Sequence, residues 1–293
     1  MKSSAGVKIG VIGGSGLYQM EGCRLIRQVS VKTPFGRPSD SIAIVDVAGI
    51  PVAFLPRHAR GHRILPTEIN ARANIFALKS LGVERVLSVG ATGSLKEELA
   101  PMHLVIPDQL VDKTRLRVQS FFGQGMVAHV QFDRPICPAL SRVVVDSAGD
   151  LGLPAHDGGV YVCMEGPAFS TRAESLEHRR SGYSVIGMTA LPEAKLAREA
   201  ELCFSLIAFV TDYDCWKEGE EAVNASKVIE NLKEGVNRVQ RVLKDAIPKI
   251  SRLPRAGCPC PDALSTALVT DPKYMSRSTA QKLRLLVGRY VKK

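Results

Sequence analysis

No apolar stretch in this chain approaches the ~20 residues that a helix needs to cross a bilayer. There is no internal repeat, no low-complexity linker before residue 250, and only one tryptophan. The missing span favours a soluble protein of the cytoplasm. The apolar run near the start (GVKIGVIGG) is short and leads straight into glycines, unlike a secretory leader. Zinc-finger spacing is missing too: the seven cysteines form no CxxC pairs, and Cys258 and Cys260 make a lone CxC. Structural thiols are the plain reading, with no metal expected. Disulfides between Cys137 and Cys203, or between Cys258 and Cys260, stay open.

Acidic side chains are scarce in one place only. Residues 249–293 carry ten Lys/Arg against two Asp/Glu, while the rest of the chain is almost balanced. The net charge of +10 is therefore mostly a basic tail. A solvated basic helix explains such a tail better than a nucleic-acid arm. With 45% hydrophobic and 23% charged residues, the 293-residue chain can bury a sizeable core.

Apolar runs of strand length recur at 7–12, 42–47, 52–55, 86–89, 104–106, 160–164, 185–188 and 204–210. Helical patterns fall between them at 66–81, 138–151, 171–181, 193–202 and 225–246. Strands alternating with helices predict an α/β sheet covered on both faces. The segment 251–262 is rich in Pro and Gly, and an amphipathic pattern follows over 278–290. The expected organisation is one α/β domain over 1–250 with a basic extension, 251–293, ending in a helix.

Ligands in α/β sheets gather where strand ends open into loops. Gly13-Gly14-Ser15-Gly16 follows the first run and offers converging amides and a hydroxyl. A dinucleotide fingerprint fails there, because position 19 is Gln rather than Gly or Ala. This weakens a nicotinamide-dependent oxidoreductase. After the run at 52–55 come Arg57 and His58, a guanidinium fork with a neighbouring donor. Gly90-Ala91-Thr92-Gly93-Ser94 reads as another small-residue turn. Thr189 stands just before a helix opened by Pro192 and Glu193. Four strand ends offering anion donors predict an inorganic oxyanion or a substrate phosphate. Between them, Phe169 is suited to stack on a planar ring and Glu165 to accept from sugar hydroxyls.

The run at 204–210 ends in TDYDCW. Strand alternation would put Asp212 and Asp214 on one face. Burying two carboxylates is costly unless they are hydrogen-bonded, and such a pair can hold one proton near neutral pH. An aminopurine edge asks for that combination: a proton for N7 and an acceptor for the amino group. A pair of helix caps for the stretch after Trp216 is the plainer alternative.

Together these stretches resemble the nucleoside phosphorylases of the trimeric purine family. The matching pieces are GVIGGSGLY, TPFGRPSD, RHARGH, ANIFALK, GATGSL, EGPAFSTRAES, MTALPEAKLAREA and TDYDCWKEGEEAV, in order across nearly all of residues 7–247. The resemblance implies a single α/β domain with a mixed, partly barrel-like central sheet flanked by helices, assembling as a homotrimer or a dimer of trimers. It implies a pentosyl transfer with inorganic phosphate as co-substrate and no cofactor. Methylthioadenosine is the implied nucleoside, with adenosine, inosine and guanosine as the broader alternative. Phosphate would be held by Ser15, Arg57, His58, the Ala91 amide and Thr189. Met188 would lie against the ribose, while Phe169, Ser170, Asp212 and Asp214 would line the base pocket, Asp212 being catalytic. Val223, Val228 and Ile229 would line the 5'-pocket, and His129 would reach a neighbouring subunit's site. The chain departs from the pattern at Gly90, where relatives often place Thr or Ser, and at Ala168, where they can have Arg.

Overall fold

The computed structural model describes residues 6–14, 17, 20–219 and 225–291. Among the described residues eleven strands form one mixed sheet. In chain order they are β1 (Ile9–Gly13), β2 (Arg24–Val29), β3 (Ile42–Val47), β4 (Ile50–Pro56), β5 (Arg85–Ser94), β6 (Leu104–Ile106), β7 (Gln109–Asp112), β8 (Ala155–Asp157), β9 (Val160–Cys163), β10 (Val185–Gly187) and β11 (Cys203–Asp212). The helices are α1 (Ala71–Ser80), α2 (Pro138–Asp150), α3 (Arg172–Arg180), α4 (Ala190–Glu199), α5 (Ala225–Arg252), α6 (Arg277–Lys282) and α7 (Arg284–Val287).

The centre of the sheet is parallel and buried on both faces, which is why its strands read as unbroken apolar runs. On β11, Leu206, Ala208 and Val210 face the core shared with α1 and α4, while Ile207 and Phe209 face that shared with α2 and α5. β2 escapes the sequence pattern because it is an edge strand, with Leu25 and Ile26 exposed and a bulge against β3. Helix starts follow their caps: the Asn70 side chain accepts from Ala73 N–H, and Thr171 with Glu174 forms a capping box.

Two expectations change. Residues 90–94 are no turn, since β5 runs on through Ser94. The single terminal helix is two short ones, α6 and α7. The extension also packs rather than trailing in solvent: Leu264, Ala267, Leu283, Leu286 and Val287 are buried in the core that contains α1 and α4. Among the described residues no helix is long and apolar enough to cross a membrane.

The feature that positions the site is a gap beside β5. One edge of β5 pairs with β11 along Arg85–Gly93. Its other edge pairs with β1 only through Ser88, and with β10 only at Gly93 and Ser94. A strand has two edges, so Val89–Thr92 face an opening between β1 and β10.

Candidate active site

Arg57 leaves the end of β4 and turns into this opening, its backbone N–H donating to Gly13 O at 2.9 Å. Its side chain is 2% exposed. Nε donates to Glu193 Oε1 at 2.5 Å and Nη2 to Glu193 Oε2 at 3.0 Å. Nη2 also reaches Ser88 Oγ, and Nη1 donates to Val89 O at 2.9 Å. Burial works against the guanidinium's charge, but Glu193 outweighs it and holds Arg57 protonated above its ordinary value. The fork is therefore already closed on a carboxylate. One Nη1 hydrogen remains for a ligand, and the buried pair carries no net charge. Anion attraction at this corner falls to backbone amides and hydroxyls.

His58 is half-buried, with Nδ1 2.8 Å from Ile64 O. Burial, then the charge of Arg57 beside it, pushes its pKa down to about 4. The ring is neutral at neutral pH, and the carbonyl selects the Nδ1–H tautomer. Nε2 then presents a lone pair: the residue expected as a donor is built as an acceptor. On the far side of the gap, a Cβ added at Gly90 would lie 3.1 Å from Thr189 Oγ1. Thr189 thus stands directly beside Gly90, across the gap from Arg57. Ala91 lies on the open stretch of β5, and Ser15 lies outside the described residues.

The second half of the site is the end of β11. The register slips between Val210 and Asp212, so strand alternation stops before the carboxylates. A turn joins them instead. Asp214 N–H donates to Asp212 Oδ1 at 2.8 Å, with Asp214 left-handed at φ 52°, and Thr211 Oγ1 donates to Asp212 Oδ2 at 2.7 Å. Asp212 thus caps a turn, while the described residues just after Trp216 form no helix for the pair to cap. Asp214 Oδ2 is buried and accepts no hydrogen bond from any described residue.

Both acids lean on Gly93: a Cβ there would meet Asp212 Oδ1 at 3.0 Å, Asp214 Cβ at 3.2 Å and Ile186 Cγ2 at 3.2 Å. Gly93→Ala is expected to shift the carboxylates by tenths of an ångström. Because misplacing catalytic groups by 1 Å can cost about 10²-fold, kcat/KM should fall roughly tenfold with circular dichroism unchanged. A variant with full activity would remove Gly93 from the site's geometry.

The loop that carries Phe169 and Ser170 is tied to this pair. Cys215 Sγ donates to Ser170 O at 3.2 Å, and Ser170 Oγ lies 3.9 Å from Met164 Sδ. Gly166, at φ 69°, leaves no room for a side chain, because a Cβ would sit 2.6 Å from Met188 Sδ. Contacts through Gly166 and Cys215 thus tie the loop that carries Phe169 and Ser170 to Met188 on one side and to the end of β11 on the other. Phe169 is 44% exposed, leaving its ring open to a partner.

Glu165 is spent elsewhere. Its oxygens accept from the backbone of Arg115 and Leu116, from Thr67 Oγ1 and from Arg117 Nε. Burial pushes its pKa up, yet these bonds pull it down to about 2. It clamps loops, and both of its oxygens are taken.

Sequence patterns missed Glu193, Ser88, Arg117 and Gly93. Arg117 donates through Nη1 to the carbonyls of Met188 and Leu191, stitching three loops together. No spacing marks such a residue; its partners are up to 74 positions away. Val228 and Ile229 lie at the start of α5, whose Asn231 donates to Thr211 O at 2.7 Å. Their side chains, and Val223 entirely, lie outside the described residues. His129 is exposed, with its backbone N–H on Ala267 O, and no described hydrogen bond joins it to the other site residues. Trp216 is core: it is 7% exposed, its Nε1 donates to Ser94 O, and Tyr213 packs edge-on.

The chain belongs to the phosphorylase superfamily, whose family model matches residues 8–248. It is 51% identical to S-methyl-5'-thioadenosine phosphorylase of Geobacter sulfurreducens over 97% of this chain and 99% of the relative. It is 50% identical to the same-named protein of Koribacter versatilis, over 97% and 96%. Among solved structures it resembles a methylthioadenosine phosphorylase from an antarctic soil metagenomic library, at TM-score 0.91 and 45% identity over 96% of this chain and 99% of that one. The Schistosoma mansoni methylthioadenosine phosphorylase in complex with adenine matches at TM-score 0.82 and 32% identity, over 96% and 98%.

Proposed function

We propose that this enzyme is a pentosyltransferase that phosphorolyses S-methyl-5'-thioadenosine to adenine and 5-methylthio-α-D-ribose 1-phosphate. The observation that carries the base assignment is Asp214 Oδ2, a buried acceptor without a donor beside Asp212. Leaving such a group unsatisfied costs about 1–3 kcal/mol, and the amino group of adenine supplies the missing hydrogen. A 6-oxopurine would set acceptor against acceptor. Close similarity to the two bacterial relatives named above supports the methylthio group.

In this reading phosphate sits at the gap in β5, on the amides near Ala91, the Thr189 hydroxyl, Ser15 and the free Nη1 hydrogen of Arg57. The neutral His58 accepts the proton of a phosphate P–OH through Nε2. Phosphate oxygen attacks C1' while the bond to N9 breaks, so positive charge develops on the sugar and negative charge on the purine. Asp212 delivers a proton toward N7, and Asp214 orients the ring through its amino group. Phe169 and Ser170 flank the base, Met188 the ribose, and Val228 and Ile229 the 5'-substituent. A cytoplasmic homotrimer, in which His129 completes a neighbour's site, belongs to the same proposal.

A phosphate-dependent release assay decides among substrates. Expected is adenine from methylthioadenosine, less from adenosine, and no hypoxanthine from inosine. Comparable rates on inosine would favour a broader purine nucleoside phosphorylase and overturn the reading of Asp214.

A further inference from the structure

Four cysteines remote in sequence meet at the opposite end of β11 from Asp212. Cys203 opens β11, Cys137 is the N-cap of α2, and Cys258 and Cys260 come from the segment after α5. Their sulfurs all lie within 4.8 Å of one another. Cys137, Cys203 and Cys260 are buried and Cys258 is half-buried. Cys258 Sγ stands 3.9 Å from Cys137 Sγ and 3.6 Å from Cys203 Sγ.

Tetrahedral zinc with Zn–S bonds of ~2.3 Å holds its sulfurs about 3.8 Å apart. Disulfides bring sulfurs together two at a time at ~2.05 Å. Here one sulfur stands at nearly equal distance from two others, an arrangement that a central ion explains and paired bonds do not. The surroundings suit a thiolate cluster. Cys137 stands at the N-terminus of a 13-residue helix, whose dipole favours a thiolate.

We infer that Cys137, Cys203, Cys258 and Cys260 bind one zinc ion as a closed structural site. Four soft sulfur ligands select zinc and leave no position for water, so the ion takes no part in the phosphorolysis. Binding displaces the thiol protons. The site fastens the Cys-Pro-Cys segment, and with it the start of the extension, to the sheet. β11 separates it from Asp212 by about 30 Å at the usual strand rise, so it stands apart from the reading of the active site.

Protein made in zinc-supplemented cells and purified with reductant but no chelator should contain about one zinc per chain, as a four-sulfur site requires. A mercurial reagent should release that zinc as the four thiols react. Cobalt exchanged into the site should show the strong visible absorption of tetrahedral cobalt thiolate. The Cys258→Ser/Cys260→Ser variant should lose the metal and melt lower yet keep its turnover, while Cys23→Ser should keep the metal. The mercurial titration of the native chain holds the test even where the double variant fails to fold. A metal-free native protein, whether its four thiols alkylate freely or its intact mass reveals two disulfides, overturns the inference, as does zinc retained in the double variant.

Discussion

Replacing Asp212 by Asn is expected to lower adenine release about 10²- to 10⁴-fold, the usual range for losing a general acid, with the fold intact. The geometry makes this substitution unusually clean. An Asn Oδ1 still accepts from Asp214 N–H, so the turn that holds the pair survives. Thr211 Oγ1 already points to Thr92 O as well as to Asp212 Oδ2, so its hydrogen can turn to the carbonyl and its oxygen can accept from Asn Nδ2. What disappears is the proton that the proposed mechanism delivers to N7. Single-turnover rates with methylthioadenosine should fall with kcat while nucleoside binding changes little, the pattern of an interaction made only in the transition state. Turnover within twofold of the parent would exclude Asp212 as the acid.

Glu193→Ala is expected to destabilise the protein by about 3–5 kcal/mol, because it leaves a buried guanidinium without its counter-charge. Glu193 is 1% exposed and meets Arg57 in two parallel bonds, with Ser88 Oγ donating to the same carboxylate at 3.0 Å. Urea denaturation measures the loss. The double variant Arg57→Met/Glu193→Leu should recover most of it, since replacing both members of a buried pair by apolar side chains is often neutral. Phosphorolysis should stay low in both, separating the pair's place in catalysis from its cost to folding. A loss below about 1 kcal/mol in Glu193→Ala, the scale of an exposed pair, would show that Arg57 finds another partner and that the closed fork is not what shapes the anion corner.

Both effects turn on residues that sequence patterns treat very differently. Asp212 stood out because an apolar run ending in two acids is costly without a purpose. Glu193 did not, because an acid after a proline at a helix start has an ordinary explanation in the helix dipole. Its real partner lies 136 positions away. The same holds for the cysteines: a CxC is one residue short of the usual chelating spacing, and its companions at 137 and 203 carry no local signal. Arg57 shows the limit from the other side. Its location at a strand end was legible, but the carboxylate that occupies its fork was not. The turn expected at 90–94 fails for a related reason, since β11 supplies a pairing partner that overrides the small-residue pattern.

By itself, the sequence determined the α/β class and the buried strands at the centre of the sheet. Those properties follow from local chemistry: unbroken apolar runs mark buried strands. Only the tertiary structure decided which charges neutralise each other, which tautomer His58 adopts, how Asp212 and Asp214 are joined, and that four scattered thiols meet. Each of these is a contact between segments distant in sequence, and its energy depends on burial and distance that no local pattern encodes.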